Sequence, residues 1–285
     1  MNSGWRTLGA SVIAGLFALA VSAHAWPQSP ADGDDFQVTL LGTGSPPPVM
    51  NRFGPGVLVQ AGGQTLLIDC GRGVTQRLFQ LGVKLGTANK LFITHLHSDH
   101  IVGIPDLWLT GWLETPFAQR KGAFQVFGPA GTRNMMESLE KAYEWDIRTR
   151  IADQKLANEN IAVSVTEIKE GVVYDRDGVK VTAFEVDHGD LIKPAFGFRI
   201  DYGGRSAVVS GDTRFSENLI RHAMGADLLI HNVGAARPED LRVSERYRRI
   251  MALHLPPEEA GEVFARVNPK LAVYTHMVLL RIGTE

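Results

Sequence analysis

Short runs of apolar and β-branched residues recur along the chain from residue 36 onward, separated by polar or glycine-rich segments. Runs of about four to eight such residues are typical of strands. The pattern predicts strands over Phe36–Leu41, Gly56–Gln60, Gln64–Asp69, Lys90–Thr94, Phe124–Phe127, Ile161–Val165, Val179–Val186, Phe196–Asp201, Ser206–Ser210, Asp227–His231 and Leu271–Thr275. Glycine pairs such as Gly62-Gly63 lie between several of these runs, as hairpin turns require.

Other segments show the spacing of apolar positions that favours helices. They include Gly73–Leu81, Thr132–Tyr143, Phe215–Ala223 and Pro257–Val267. The last begins with Pro257, Glu258 and Glu259, which suit a first helical turn because its unpaired amides and dipole favour proline and acids there. Strands are adjacent in sequence yet interrupted by helices. The pattern therefore predicts an α/β (α+β) domain of two sheets with helices packed outside.

Length and composition fit one folded domain. The chain has 285 residues, 44% of them hydrophobic, which is enough for one sizeable core. Its 29 lysines and arginines balance 31 acidic residues, so no global positive field attracts nucleic acid or acidic membranes. Cys70 is the only cysteine, which excludes an intrachain disulfide, and its position after an apolar strand favours a packed, inert thiol.

The N-terminus has the features of a secretory signal. Residues 1–25 contain one basic residue, Arg6, then an apolar stretch over 12–21 and the small residues of Ala23-His24-Ala25. This order predicts a signal peptide cut before Trp26, and export to the periplasm or out of the cell. The stretch is shorter than the roughly 20 residues of a membrane-spanning helix, so no membrane span is expected after cleavage; an uncleaved anchor is the alternative. Residues 26–35 are then a mobile lead-in, and residues 36–285 the folded domain.

Three histidines and one aspartate lie close together in His95-Leu96-His97-Ser98-Asp99-His100, directly after a predicted buried strand. Burying so many polar rings and a carboxylate is costly unless they bind something, and zinc accepts imidazole nitrogens and carboxylate oxygens as ligands. In an extended loop, His95 and His97 face the same way and can share one ion, while Asp99 and His100 are offset toward a second. The run therefore predicts a zinc site.

A site for two metals needs more ligands, and polar residues also follow other apolar strands. These candidates are His188, Asp212, His231 and His276. Strand ends at one edge of a sheet meet at a common rim, so several of these side chains can reach the same metals. Each taken alone is also compatible with a turn residue, as in His188-Gly189.

The order of these motifs resembles a known family. It is similar to the metallo-β-lactamase superfamily and, within it, to the ribonuclease Z-like branch, with the secreted arylsulfatase-type hydrolases as the closest resemblance. The matching motifs are Leu41-Gly42-Thr43-Gly44, Leu67-Ile68-Asp69-Cys70-Gly71, Thr94-His95-Leu96-His97-Ser98-Asp99-His100, Asp187-His188-Gly189, Ser210-Gly211-Asp212-Thr213 and Thr275-His276. The resemblance covers nearly all of the chain after residue 25 and implies an αββα sandwich of two mixed β-sheets flanked by helices.

The resemblance also implies roles for single residues. It places His95, His97 and His188 on a first zinc ion, Asp99, His100 and His276 on a second, and Asp212 between the two. Two such ions activate a shared water, so hydrolysis is the implied chemistry, with Asp99 orienting that water or accepting its proton. His254 corresponds to a histidine thought to donate a proton to the leaving group; a buried or capping role is the alternative. His231 falls outside the implied ligand set.

Two features depart from the branch. Where its members often carry Glu after the histidine of the strand at Asp227–His231, this chain has Asn232, and an amide can orient His254 but cannot keep it protonated. Only residues 277–285 follow His276, whereas members commonly continue with a further helix and strand. The sequence therefore leaves open a C-terminally truncated domain, in which the loop around His276 would have less support.

Three classes of function remain: hydrolysis of a small anionic sulfate or phosphate ester, processing of tRNA 3′ ends, and a non-enzymatic ligand-binding role. Members that process tRNA carry an arm between the equivalents of His188 and Asp212, which here are only 24 positions apart. With the net charge of −2 and the export signal, this spacing favours a small ester, of arylsulfatase or phosphodiesterase type, and disfavours nucleic acid as a partner. No implied ligand is missing, which argues against the non-enzymatic role.

Trp108 and Trp112 lie four positions apart in the long stretch between His100 and His188, so a helix would place them on one face. They are predicted to pack in the core or between the subunits of a homodimer; the alternative is an aromatic wall for an aryl leaving group. Lys193 is a candidate partner for the anionic sulfate or phosphate, or a solvated loop lysine.

Overall fold

The computed structural model describes residues 35–282. The strands are β1 (Phe36–Gly42), β2 (Gly56–Ala61), β3 (Gln64–Ile68), β4 (Lys90–Phe92), β5 (Phe124–Gly128), β6 (Val163–Glu167), β7 (Gly171–Arg176), β8 (Val179–Glu185), β9 (Phe196–Tyr202), β10 (Arg205–Val209), β11 (Leu228–Ala236) and β12 (Leu271–Leu280). The helices are α1 (Val74–Gln80), α2 (Ser98–Ile101), α3 (Ile104–Trp112), α4 (Thr132–Ala142), α5 (Glu144–Gln154), α6 (Glu217–Ala223), α7 (Pro238–Val243), α8 (Glu245–Met251) and α9 (Pro257–Val267). The predicted signal peptide over 1–25 and residues 26–34 of the lead-in lie outside the described residues.

These strands form two six-stranded sheets, both mixed. The first has the order β1-β2-β3-β4-β5-β6, antiparallel from β1 to β3 and parallel from β3 to β6. The second has the order β12-β11-β10-β9-β8-β7, antiparallel from β7 to β10 and parallel from β10 to β12. The predicted pair of mixed sheets is therefore confirmed.

Apolar side chains fill three layers. Between the sheets, Phe92 stacks on Phe127 with ring centroids 4.7 Å apart and meets the edge of Phe198 from the second sheet. Complete burial of one such side chain contributes about 1.5–3 kcal/mol to folding. Helices α1, α3 and α4 cover the outer face of the first sheet, and α6 and α9 cover that of the second. The fold is the predicted αββα sandwich.

The apolar pattern does not predict β7, α5 or α8. The β7–β8 hairpin turns at Asp177-Gly178, whose φ angles of 53° and 77° fit the left-handed turn that Asp-Gly favours. Neither α5 nor α8 has a buried residue, so apolar periodicity gives little signal there. Ion pairs one turn apart hold them instead, as between Arg150 and Asp146 of α5.

Strands β11 and β12 both run further than predicted. They pair in parallel to Ala236 and Leu280, and the register shifts where Thr275 pairs with Asn232 but Met277 with Val233. His276 is the extra residue of this β-bulge, with a φ of 42°. The residue thus lies within a paired strand rather than in the expected loop. Within the span 35–282, no helix is long and apolar enough to cross a membrane.

Candidate active site

Polar side chains gather at one rim, where β3, β4, β8 and β10 end. After β4, Thr94 turns the chain through two hydrogen bonds to Asp69: its amide donates to Oδ1 at 2.8 Å and its hydroxyl to Oδ2 at 2.9 Å. Nδ1 of His100 lies 2.7 Å from the same Oδ2. Asp69 therefore fixes the loop that carries the histidine run. Sequence reasoning assigned it no role, although a carboxylate after an apolar strand was the signal used for Asp212.

The first ligand group consists of His95, His97 and His188. Nε2 of His95 lies 2.9 Å from Nδ1 of His97, and Nε2 of His188 lies 3.3 Å from that same Nδ1. The other ring nitrogen of His188 donates to the carbonyl oxygen of Leu253 at 3.0 Å, which leaves Nε2 free to bind a metal. The structure thus brings together the three histidines that the resemblance placed on a first metal.

The second group consists of Asp99, His100 and His276. Nε2 of His276 lies 3.1 Å from Oδ2 of Asp99, and Nε2 of His100 lies 3.7 Å from the same oxygen. The bulge in β12 aims His276 at this group, because the extra residue breaks the alternation of side chains along the strand. Its backbone is fixed from the other sheet, since the amide of Met277 donates to the carbonyl of Thr43 at 3.0 Å.

Asp212 lies between the two groups. Its Oδ2 is 3.4 Å from Nε2 of His100, 3.3 Å from Nε2 of His276 and 3.7 Å from Nε2 of His188. The preceding Gly211 has a φ of 62°, and a Cβ there would lie 2.4 Å from the carbonyl oxygen of Phe196. Only glycine fits this approach, which delivers Asp212 to the shared position.

Charges inside the cluster depend on one another. Burial alone would raise the pKa of Asp212, but the imidazoles of His276 and His100 hold it well below its ordinary value. Burial alone would lower the pKa of His100, but Asp212 and Asp69 raise it well above its ordinary value. The buried carboxylates therefore favour positive charge in the middle of the cluster.

The residues present fit bound metal ions. Within the described part of the chain, Nε2 of His100, Oδ1 of Asp212 and Nδ1 of His276 are buried without a hydrogen-bond partner. Unpaired buried polar atoms are costly, and metal coordination would satisfy Nε2 of His100 and Oδ1 of Asp212. Imidazole nitrogens and carboxylate oxygens are ligands that a divalent transition metal accepts.

His254 lies at the edge of the cluster. Its ring centroid is 5.5 Å from those of His188 and His276, and it can also join His188 and Asp212 around a metal. Burial lowers its pKa to about 4. The expectation that Asn232 orients it finds no support, because the Asn232 amide donates to the carbonyl of Thr213 at 3.1 Å instead. His231 is buried against Phe264 and, within the described residues, belongs to none of the groups that could hold a metal.

The two tryptophans do not border the cluster. Trp108 and Trp112 are residues of α3 that point into the core, and their indole N–H groups donate to the carbonyls of Ile161 and Ala157 at 2.8 and 3.0 Å. They pack in the core, as predicted first, and in this position they do not line the ligand cluster as an aromatic wall for a leaving group would. Lys193 is exposed and lies 3.9 Å from Asp190, not in the ligand cluster.

An ion pair connects the loops of two ligands. The guanidinium of Arg214 donates to both oxygens of Asp187, at 2.6 and 2.7 Å, and its backbone amide donates to the carbonyl of Asp187 at 2.7 Å. Asp187 precedes His188, and Arg214 follows Asp212 by two positions. The pair therefore holds the loops of a first-group ligand and of the shared carboxylate together.

Comparison with known proteins identifies relatives over the same span. A profile of the beta-lactamase superfamily domain matches residues 64–277. A protein named ribonuclease Z from Mycolicibacterium gilvum is 40% identical over 250 residues, covering 87% of each chain. A ribonuclease Z of Mycobacterium marinum is 40% identical over 242 residues, covering 85% of this chain and 86% of that protein.

Solved structures agree on the fold. The metallo-beta-lactamase fold protein YhfI of Bacillus subtilis has a TM-score of 0.66 at 19% identity, covering 87% of this chain and 88% of that one. The short form of human tRNase Z has a TM-score of 0.65 at 24% identity, covering 85% of this chain and 95% of that one.

These relatives overturn part of the sequence interpretation. The predicted small-molecule substrate, an anionic ester of arylsulfatase or phosphodiesterase type, is wrong, and so is the expectation that nucleic acid is an unlikely partner, because the curated relatives are named ribonucleases. Hydrolysis of a phosphodiester bond itself is compatible with these relatives. The closeness to arylsulfatase-type members has no support either. The net charge was a poor guide to the partner because it sums over the whole protein, whereas a polyanion responds to the charge of the surface that it contacts. The missing arm removes one route of contact, not all of them.

What remains is consistent at every level: an αββα sandwich, a rim of metal-binding side chains, and a match to one superfamily over most of the chain. The chain belongs to the metallo-β-lactamase superfamily, in its ribonuclease Z-like branch, and is a metal-dependent hydrolase of ester bonds.

Proposed function

We propose that the chain is a zinc-dependent endoribonuclease that cleaves a phosphodiester bond near the 3′ end of a tRNA precursor. One observation carries the proposal: relatives named ribonuclease Z are 40% identical over 250 residues, which is nearly the whole described domain. The ligand cluster supports it, because phosphodiester hydrolysis is a reaction that paired metals catalyse well.

The donor set favours zinc and two ions. Five imidazoles and two carboxylates suit zinc better than magnesium or calcium, which prefer oxygen ligands alone. His95, His97 and His188 would hold one ion, Asp99, His100 and His276 the other, and Asp212 both. When bound, such ions lower the pKa of a coordinated water and neutralise charge on the phosphate.

Two side chains are assigned to proton transfer. Asp99, 3.1 Å from His276, would orient the attacking water or accept its proton. His254 would donate a proton to the departing oxygen. Because burial lowers its pKa to about 4, the imidazole is neutral near pH 7, and the negative charge of a bound phosphodiester is needed to favour its protonated form.

The test is cleavage of a tRNA precursor with a 3′ trailer by the zinc-loaded protein. A single cut near the acceptor end is expected, and a chelator should abolish it. Asp212→Asn should lower the rate by at least about 100-fold, since it removes the ligand that both metal groups share. Metal analysis should find fewer than two zinc ions per chain in this variant.

Asp106→Asn is the matched control, because Asp106 is an exposed carboxylate on α3 whose side-chain hydrogen bonds, among residues 35–282, are to Gln76 and Thr110. It should keep both the rate and the zinc. A zinc-loaded wild-type protein that leaves the precursor intact would refute the proposal. An unchanged pair of zinc ions in Asp212→Asn would refute the shared ligand.

A further inference from the structure

The hairpin of α7 (Pro238–Val243) and α8 (Glu245–Met251) is unusually rich in arginine for a chain with a net charge of −2. Its arginines are Arg237, Arg242, Arg246, Arg248 and Arg249, against the acidic residues Glu239, Asp240 and Glu245. All five arginines are exposed. The hairpin therefore carries a local positive charge that the whole-chain balance hides.

Ion pairs and hydrogen bonds account for only some of this charge. Arg249 pairs with Glu245 one turn away. Arg248 donates to the carbonyls that end α7 and so fixes the angle between the two helices. Asp240 is paired with Arg281, the residue that follows β12. Within residues 35–282, no carboxylate lies within ion-pair distance of Arg237, Arg242 or Arg246.

Some arginines elsewhere on the surface are held by carboxylates. On α5, Arg148 pairs with Glu144, and Arg150 donates through Nε to both oxygens of Asp146 at 3.0 Å. On α9, Arg266 binds both oxygens of Glu217. The three unpaired guanidiniums of the hairpin are thus available to an external anion.

The hairpin borders the metal cluster. From α8 the chain passes directly to Leu253, whose carbonyl accepts from Nδ1 of the metal ligand His188 at 3.0 Å, and then to His254. A Cβ at Gly234 of β11 would lie 2.9 Å from Cβ of His254 and 3.0 Å from Cε of Met251, so this end of the hairpin is packed tightly against the sheet. A strand with a phosphodiester at the metals would pass beside it.

We propose that the α7–α8 hairpin is the backbone-binding surface for RNA, with Arg237, Arg242 and Arg246 contacting phosphates next to the scissile bond. This inference rests on the proposed ribonuclease function and adds the surface that holds its substrate. Guanidinium forks match phosphate oxygens, and RNA offers one phosphate per nucleotide. Because no arm separates His188 from Asp212, contacts to a large polyanion must come from other parts of the surface, and this hairpin is adjacent and unpaired.

The test compares the zinc-loaded wild type with the triple variant Arg237→Gln, Arg242→Gln, Arg246→Gln. Precursor cleavage is measured at several salt concentrations, and bis-p-nitrophenyl phosphate, which is too small to span the hairpin, is measured alongside. The variant should lose roughly tenfold or more in kcat/KM for the precursor, and its salt dependence should weaken by about two to three in log–log slope. The loss on the small ester should be at least tenfold smaller.

Two controls separate charge from folding. Lys84→Gln, Lys121→Gln, Lys141→Gln removes the same charge from exposed sites elsewhere and should keep the wild-type salt slope. Arg237→Lys, Arg242→Lys, Arg246→Lys should restore most of the slope. Zinc content and thermal unfolding are recorded for every variant.

The outcomes distinguish the two proposals. If the wild type does not cleave the precursor, the ribonuclease function is wrong, and this inference falls with it. If the wild type cleaves but the glutamine variant keeps both its kcat/KM and its salt slope, the hairpin assignment alone is wrong. If the lysine-to-glutamine control loses as much kcat/KM and salt slope, the assignment is also wrong, because the effect would then come from the total charge of the protein and not from the hairpin.

Discussion

Asp69 and Asp212 are both buried carboxylates at the rim, but they act on different partners. Oδ2 of Asp212 lies among imidazole nitrogens that are available to a metal. Asp69 accepts from Thr94 and from Nδ1 of His100, so it determines which nitrogen of His100 faces the cluster. A hydrogen bond of this kind orients the ring and strengthens the other nitrogen as a ligand.

Replacement of Asp69 by asparagine should therefore weaken metal binding without removing a ligand. The amide offers one acceptor oxygen where the carboxylate has two, and its NH₂ group would oppose the N–H of His100. Zinc affinity should fall about 10- to 100-fold. The free energy of unfolding should fall by about 1–3 kcal/mol, because a buried donor loses its partner. Chelator competition and denaturant unfolding measure the two effects.

Asp106→Asn again serves as the control and should alter neither quantity. If Asp69→Asn binds zinc as tightly as the wild type, Asp69 supports the loop only and does not tune His100.

At the scale of elements, the ligands are held by separate loops that must keep their spacing. The Asp187–Arg214 pair joins the loop after β8 to the loop after β10 through two side-chain bonds and one backbone bond. Both side chains are partly exposed, at 44% and 38% of their side-chain surface, so solvent screens the pair and its contribution to stability is small. Its effect should appear in metal binding instead.

Arg214→Lys tests this separation. Lysine keeps the charge but lacks the rigid, planar guanidinium whose Nη2 contacts both oxygens of Asp187, so the two loops should move more independently. Zinc affinity should fall several-fold, up to about tenfold, while the free energy of unfolding changes by less than about 1 kcal/mol. Isothermal titration with zinc and thermal unfolding give the two values.

Arg266→Lys provides a closely matched control. Arg266 also binds both oxygens of its partner, Glu217, through Nη1 and Nη2 at 2.7 and 2.6 Å, but it joins α9 to α6. Equal losses of zinc affinity in the two variants would show that the ion pair near His188 has no special role.

Sequence reasoning located elements best where burial repeats regularly. The strands β8 to β10 and the helix α9 follow from apolar spacing, and the ends of those strands indicated His188 and Asp212. The bulge at His276 could not be predicted, since an extra residue in a parallel pair depends on register with β11. The hairpin α7–α8 gave little signal, because its stability depends on polar contacts such as those of Arg248 rather than on an apolar face.

At the scale of the whole molecule, the fold class and the metal-binding rim followed from the sequence, but the substrate did not. Whole-chain charge is a sum, and it conceals the unpaired arginines of α7–α8. The short spacing between His188 and Asp212 indicates only that the arm found at this place in tRNA-processing members is missing. Substrate choice depends on which surface surrounds the rim, and this becomes visible only once β11 and α8 are placed.

Export of the molecule stays a prediction, and it competes with the proposed function because export would separate the protein from tRNA in the cytosol. Expression of the full chain in a Gram-negative host should yield an exported product whose N-terminal residue is Trp26, because the small-x-small end at Ala23-His24-Ala25 is the expected cleavage site. Intact-mass measurement of the periplasmic fraction determines this. Ala25→Phe should keep the precursor uncut. Recovery of a full-length, active protein from the cytoplasm alone would contradict export and the lead-in starting at Trp26.

The bulge at His276 makes the second sheet less regular but places a metal-binding side chain at the rim. Deletion of this single residue would let Thr275 and Met277 pair continuously with Asn232 and Val233, and the ladder would become more regular. The same deletion would empty one of the ligand positions shared with Asp99 and His100. A continuous ladder between β11 and β12 and a complete ligand group are therefore mutually exclusive at this position. The observed bulge keeps the ligand and gives up the continuous ladder.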